Sequence, residues 1–228
     1  MNQSFYVVGT PIGNIEDITV RALTVLKSVD LILCEDTRVT KKLLSHHGIP
    51  TPMMSYHAQS KLSKTEHILS LLEEGKTLAL VSDAGTPGIS DPGTHLVSQI
   101  RAKFSLLNIV AVPGASAVIA ALSIAGLPTA DFTFLGFLPH KKGRETLFRE
   151  IAASSRTMVF YESPHRIEKA LASLVTFLEP TRRIAVAREI TKMFEEVVLG
   201  TAQEVLENFS SKPDTVRGEF VVIVEPRV

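Results

Sequence analysis

Leu78-Ala79-Leu80-Val81-Ser82-Asp83-Ala84-Gly85-Thr86-Pro87-Gly88-Ile89-Ser90-Asp91-Pro92-Gly93 decides how this chain folds. Its four leading apolar residues predict a short strand covered on both faces. Asp91-Pro92 predicts a helix start, because Asp can cap free amides and Pro fits the first helical position. The Gly-rich turn then lies at the carboxyl end of a parallel strand, where open α/β sheets bind ligands. Its glycines let a ligand approach the backbone. The turn holds Asp but no Lys or Arg, so it is no phosphate cradle of the G-x-x-x-x-G-K-[ST] kind. It suits a ligand with hydroxyls or positive charge. The competing explanation is an ordinary Asp/Gly turn.

The residues before this stretch repeat the pattern. Phe5 to Val8 predicts a first strand, which runs into a second Gly/Pro loop, Gly9 to Asn14. Helical spacing covers Ile18 to Leu26, with Asp17 as its cap. Leu31 to Cys34 predicts a strand ending in the charged cluster Glu35-Asp36-Thr37-Arg38, and a helix follows over Lys41 to His46 with Leu43 and Leu44 inward. Met53 to Tyr56 predicts a short strand. Ser63-Lys64-Thr65-Glu66 has the form of a capping box opening a helix that buries Ile68, Leu69, Leu71 and Leu72 and closes at Gly75. Beyond the central stretch, Leu106 to Leu127 is uncharged and long enough to span a bilayer. Pro113-Gly114 divides it into a strand, Leu106 to Val112, and an Ala-rich helix, Ser116 to Ala125, so no membrane span is expected. Strands alternating with helices predict a mostly parallel sheet for residues 1–113.

Residues 114–228 change character. Strands are expected over Phe132 to Gly136, Thr157 to Tyr161, Ile184 to Ala187, Glu196 to Leu199 and Phe220 to Val224. A basic loop, His140-Lys141-Lys142-Gly143-Arg144, precedes a helix to about Ala153, and a second helix reaches Phe177. A third lies near Ala202 to Phe209. Closely spaced strands without helices between them predict antiparallel pairing, hence a second α/β domain with a mixed sheet and a junction at Val112 to Ser116.

Bulk properties narrow the function. The chain has 228 residues, no formal net charge and 45% hydrophobic residues, a globular composition that argues against coating nucleic acid by bulk charge. The lone Cys34 is expected to be a buried thiol in a reducing cytoplasm. No secretory signal pattern opens the sequence. No His pair has convincing metal-ligand spacing, and no G-x-S-x-G elbow is present.

Five loops carry suggestive residues: Gly9 to Asn14, Glu35 to Arg38, Ser82 to Gly93, Val112 to Ala117 and Tyr161 to Arg166. Together they are consistent with a small-molecule cleft between two α/β halves. In Ser163-Pro164-His165-Arg166, Ser and Pro suit a helix start, but cations in a first turn oppose the helix dipole. Either the two side chains curl into solvent, or a bound anion offsets the cost. Ala187 to Lys192 is a similar charged cluster, with a structural ion pair as the rival explanation.

Val8 to Asn14, Glu35 to Arg38, Ser82 to Gly93, Tyr161 to Arg166 and Arg217-Gly218-Glu219-Phe220 occur in that order. From Phe5 to about Val224 the sequence resembles the bacterial small-subunit ribosomal RNA cytidine-2′-O-methyltransferases, a branch of the tetrapyrrole-methylase-like (class III methyltransferase) superfamily. The resemblance implies two α/β domains with S-adenosylmethionine in the cleft between them, usually in a homodimer. Carried over by position, the cofactor residues are Pro11, Ser82, Asp83, Ala84, Ile89, Ser116, Ala117, Tyr161, Ala187, Gly218, Glu219 and Phe220. The substrate implied is a cytidine in the decoding region of small-subunit RNA, free or in the assembled subunit. Glu35, Asp36 and Glu162 are candidate bases for its 2′-hydroxyl. Arg38, Lys141, Lys142, Arg144, His165 and Arg166 are candidate phosphate contacts; for the Lys141 to Arg144 group the alternative is a solvated loop. Many members continue into a small C-terminal helical extension thought to assist RNA binding, whereas this sequence ends at Val228; the cofactor site is then expected to be intact, while RNA affinity and its dependence on a dimer or assembled subunit are left open. Ala115 stands where other members often have Pro. Two other readings stay open: methylation of a tetrapyrrole carbon, and a non-catalytic ribosome-assembly factor.

Overall fold

The computed structural model describes residues 3–57, 62–90 and 93–227. The chain divides into two compact units, Met1–Ser116 and Ala117–Val228, each built on a five-stranded sheet.

The first unit runs β1 (Ser4–Val8), α1 (Val20–Ser28), β2 (Leu31–Cys34), α2 (Thr37–His46), β3 (Met53–Ser55), α3 (Leu62–Glu73), β4 (Leu78–Leu80), α4 (Gly93–Lys103) and β5 (Asn108–Val112). The strand order is β3-β2-β4-β1-β5 and every pairing is parallel. The apolar run at β4 is continuous because both faces are covered. Ala79 packs with Val8, Ile32 and Leu26 on one side. Leu78 and Leu80 pack with Ile68, Leu72 and Leu96 on the other. Each fully buried large side chain of this kind contributes roughly 1.5–3 kcal/mol.

Three helix starts differ from expectation. Thr19, not Asp17, caps α1: its hydroxyl accepts from the Ala22 amide at 3.1 Å, while Asp17 ends a separate 3₁₀ turn. The extended backbone at Ile18 separates the two. Helix α2 begins at Thr37 rather than Lys41, because Asp36 caps it by accepting from the Arg38 amide at 2.8 Å. Ser63 lies inside α3 and so cannot cap it. Of the four residues expected inside α3, Ile68 and Leu72 are buried and Leu69 and Leu71 only partly so. The start of the helix at Asp91-Pro92 lies outside the described residues.

The second unit runs α5 (Ala117–Ile124), β6 (Phe132–Phe137), α6 (Arg144–Ala153), β7 (Thr157–Glu162), α7 (Ile167–Phe177), β8 (Arg183–Arg188), β9 (Glu196–Thr201), α8 (Ala202–Ser211) and β10 (Phe220–Val224). The order is β6-β7-β10-β8-β9. Only β6 and β7 pair in parallel; the rest are antiparallel, which makes the mixed sheet expected from the sequence. Phe148, Phe160, Phe209 and Phe220 anchor its core. Thr201 and Glu204 form a reciprocal capping box on α8. Among the described residues no helix is long and apolar enough to cross a membrane.

Candidate active site

In an all-parallel sheet the carboxyl ends of the strands share one edge, so the connections after β1, β2, β4 and β5 emerge together. Here they are tied to one another. Thr10 and Gly85 exchange two backbone hydrogen bonds, Thr10 N to Gly85 O at 2.9 Å and Gly85 N to Thr10 O at 3.1 Å. The Thr10 hydroxyl donates to Ser82 O at 3.1 Å, and the Ser82 hydroxyl donates to Gly85 O at 3.3 Å. The Gly9 amide donates to Val112 O at 2.9 Å. The connection after β2 joins through a side chain: Asp83 Oδ1 accepts from the Asp36 amide at 3.0 Å.

A cavity of about 260 Å³ opens beside these connections, lined by Pro11, Ser82, Asp83 and Ala84 from two of them and by Val39 and Lys42 from α2. Four sequence-predicted residues therefore line one hollow. Ile89 does not; it is exposed farther along the turn. Glu35 and Ser116 are half-buried at the ends of their connections. Thr10 and Lys42 were missed. Thr10 belongs to the Gly9 to Asn14 loop, but its bridge to Gly85 is long-range and leaves no local pattern. Val39, Lys42 and Leu43 share one helix face by i, i+3, i+4 spacing, a face visible only once α2 starts at Thr37.

Both Asp36 carboxylate oxygens are engaged by Arg38. Arg38 Nη2 donates to Asp36 Oδ2 at 2.6 Å and Arg38 Nε to Oδ1 at 3.0 Å. The Arg38 side-chain bond, with the Arg38 amide behind it, holds the Asp36 carboxyl down to about 2. Such a carboxylate is a feeble base, and the Arg38 guanidinium is already occupied by it. Cys34 is buried as expected, and burial pushes its thiol up.

In the second unit, β10 registers Val221 between Tyr161 and Ala187, and Phe220 between Glu162 and Arg188. Tyr161, Ala187 and Gly218-Glu219-Phe220 thus gather at one end of the sheet. The Tyr161 ring packs against Phe134 and Phe137 at centroid distances of 4.9 and 5.3 Å. Burial raises its hydroxyl pKa, opposed by a hydrogen bond with the backbone of Val118 next to Ala117. Gly218 has φ +82°, and a Cβ there would stand 1.9 Å from Glu189 Oε1. That oxygen accepts from Lys192 Nζ at 2.8 Å and from the Glu219 amide at 3.3 Å. With Arg188 bonded to Glu196 at 2.7 Å, the Ala187 to Lys192 cluster is a set of structural ion pairs.

The segment after β7 departs most from expectation. Ser163 and Pro164 do not open the helix; they form a turn, and α7 starts at Ile167 with Arg166 at its cap position. The Glu162 side chain has no exposed surface; its Oε1 accepts from Arg166 at 2.7 Å and its Oε2 from Arg144 at 3.0 Å. An internal carboxylate, rather than a bound anion, offsets the Arg166 charge. Glu162 is sealed from solvent and is not placed to take a proton from a substrate. Arg144 and Arg166 are largely buried on it, whereas Lys141, Lys142 and His165 are exposed.

Residues 4–206 match the family of tetrapyrrole (corrin/porphyrin) methylases. Curated relatives include the ribosomal RNA small subunit methyltransferase I of Halalkalibacterium halodurans, 44% identical over 97% of this chain and 75% of the relative. The protein of the same name from Escherichia coli O157:H7 is 46% identical over 96% of this chain and 77% of its own length. Among solved structures, the methyltransferase CobJ matches with TM-score 0.72 at 22% identity, covering 99% of this chain and 97% of that one. The uroporphyrin-III C-methyltransferase of Thermus thermophilus matches with TM-score 0.67 at 19% identity, covering 97% and 94%. At these identities the two structures speak for the fold.

Proposed function

Because the chain belongs to the tetrapyrrole methylase family, we propose that it is an S-adenosylmethionine-dependent methyltransferase acting on small-subunit ribosomal RNA, at the 2′-oxygen of a cytidine in the decoding region. One observation carries the reading. Relatives named ribosomal RNA small subunit methyltransferase I match at 44–46% identity across nearly the whole chain. The tetrapyrrole enzymes match only at the level of fold, so carbon methylation is not favoured.

The lining of the first-unit cavity fits this donor. It includes Asp83 and Ser82 beside a single cation, Lys42 from α2, and the loops at 9–14 and 82–90 themselves contain no Lys or Arg. That suits a molecule bearing a sulfonium, an amine and ribose hydroxyls but no phosphate. When bound, S-adenosylmethionine supplies an electrophilic methyl group open to attack by a ribose oxygen. Pro11, Ser82, Asp83 and Ala84, which line the first-unit cavity, are proposed as donor contacts; Ile89, Ser116, Ala117, Tyr161, Ala187, Gly218, Glu219 and Phe220 are proposed as such on the family resemblance alone. Fixed backbone around the attacking oxygen would supply most of the acceleration through alignment. Of the three candidate bases, Asp36 is depressed to about 2 and Glu162 is sealed; Glu35, half-buried just after β2, is the candidate whose substitution is tested first. Lys141, Lys142 and His165 are the exposed cations assigned to RNA phosphates. A homodimer in the bacterial cytoplasm completes the assignment.

The test is transfer of a labelled methyl group, with the modified nucleotide then mapped. The acceptors are small subunits from a methylation-deficient strain and, separately, a precorrin. Several methyl groups transferred per protein are expected, one to each small-subunit RNA and all at the same ribose position. Transfer to the precorrin alone would redirect the assignment to tetrapyrroles, and no turnover would leave an assembly factor.

A further inference from the structure

The connection between β6 and α6, residues 138–143, joins one strand to a helix, yet its two ends converge on a single buried carboxylate. At the first end, Arg166 Nη1 donates to Leu138 O at 3.0 Å, and the Leu138 side chain is buried. At the far end, Arg144 Nη1 reaches back to Pro139 O at 3.1 Å, while the Arg144 amide donates to Lys141 O at 3.2 Å. Both guanidiniums also donate to Glu162, Arg144 Nη2 to Oε2 and Arg166 Nη2 to Oε1, and Arg166 Nε donates to Ser163 Oγ at 3.3 Å. Oε1 also accepts from the Ser163 amide at 2.9 Å. The Arg144 guanidinium lies over the Phe148 ring, 5.3 Å from its centroid. Between these clamps Pro139, His140, Lys141, Lys142 and Gly143 are exposed, and Gly143 makes the turn into α6 at φ +82°.

We infer that Glu162 is a positioning residue for RNA. Through Arg144 and Arg166 it fixes the 138–143 connection so that His140, Lys141 and Lys142 face the phosphates of the substrate as one preformed patch. A carboxylate withdrawn from water is tolerated when paired, and the arrangement converts that pairing into loop order. Two lysines on a free loop would surrender their rotamer and backbone entropy at each encounter; held in advance, they surrender less. This inference rests on the RNA substrate proposed above, but the anchoring half of it does not.

The experiment uses the full chain with Glu162→Gln, which keeps the shape and removes the charge both guanidiniums share. Limited trypsin digestion reads the anchor without any RNA: cleavage after Lys141 or Lys142 is expected several-fold faster than in the parent protein. Methylation of small subunits reads the presentation: the KM for RNA is expected to rise far more than kcat falls. The salt dependence of RNA binding should flatten, by roughly 0.7–0.9 in log–log slope for each phosphate that is no longer neutralised. S-adenosylmethionine affinity should hold. Arg144→Gln, which leaves the Glu162–Arg166 pair in place, is the second variant should the first fail to fold; it should show the same pattern in weaker form. Unchanged trypsin cleavage would overturn the anchor. Faster cleavage with an unaltered KM for RNA would overturn the presentation, and a kcat loss at constant KM would return Glu162 to the chemistry. If the parent protein transfers no methyl group to small subunits, the RNA assignment fails, while trypsin still decides the anchor.

Discussion

Gly9 and Gly114 lie backbone against backbone: a Cβ built on either would stand 2.8 Å from main-chain atoms of the other. Neither approach is to the tip of a flexible side chain, so neither can yield by a rotamer change. The approach sets the spacing of the connections after β1 and β5, and with it the position of the Thr10–Gly85 bridge. Gly114→Ala is therefore expected to destabilise the protein by about 1–3 kcal/mol, the usual cost of overpacking, and to weaken S-adenosylmethionine binding. Denaturant unfolding and titration calorimetry check the two halves separately. Parent-like stability would show that the two backbones can part without cost.

Asp83 links two connections through one oxygen, accepting from the Asp36 amide at 3.0 Å, and the residue lines the cavity. Asp83→Ala leaves that amide without its acceptor, a loss of about 1 kcal/mol, and removes the carboxylate from the lining. The fold is expected to persist while cofactor affinity drops at least tenfold. Calorimetry that returns the parent dissociation constant would remove Asp83 from the donor site.

Much of this was legible from the chain. The span Leu31–Cys34 could be read directly because an unbroken apolar run bounded by Asp30 and Glu35 has few alternatives. The gathering of the Gly-rich connections followed from parallel order alone. What could not be read was how charges are spent. Asp36 looks like a site residue in the sequence, yet its oxygens cap α2 and hold Arg38. Glu162 looks like a free carboxylate beside a basic turn, yet one of its guanidinium neighbours lies 18 residues upstream on another element. Burial and long-range pairing set these roles, and neither leaves a local pattern.

The Asp36 carboxyl gives a pH signature. Its folded value, about 2, lies below the ordinary 3.8. A depressed carboxylate contributes stability that is fully present above the unfolded value and is lost as pH falls through the folded one. The window therefore runs from about pH 4 down to about pH 2. The Arg38 side chain is 87% exposed, so the effect should be small and screened by salt. Asp36→Asn is expected to lose less stability than the parent over that window, with a difference independent of pH above it. Denaturant midpoints measured at low and high salt check both statements.

Lys141 and Lys142 are exposed on the connection before α6, while Arg144 and Arg166 are committed to Glu162. If phosphates are held by exposed cations, the two lysines carry the binding and the arginines only support it. Lys141→Ala with Lys142→Ala should weaken binding to small-subunit RNA at low salt and bring the affinities of variant and parent together as salt rises. Each phosphate left without its lysine should lower the log–log salt slope by roughly 0.7–0.9. Their removal touches no core residue, so thermal stability should stay within about 0.5 kcal/mol of the parent. Cofactor affinity should also be retained, because neither lysine lines the first-unit cavity. A parallel shift of both salt lines, with the slope unchanged, would mean that the lysines do not touch phosphate and would leave His165 as the exposed cation to test.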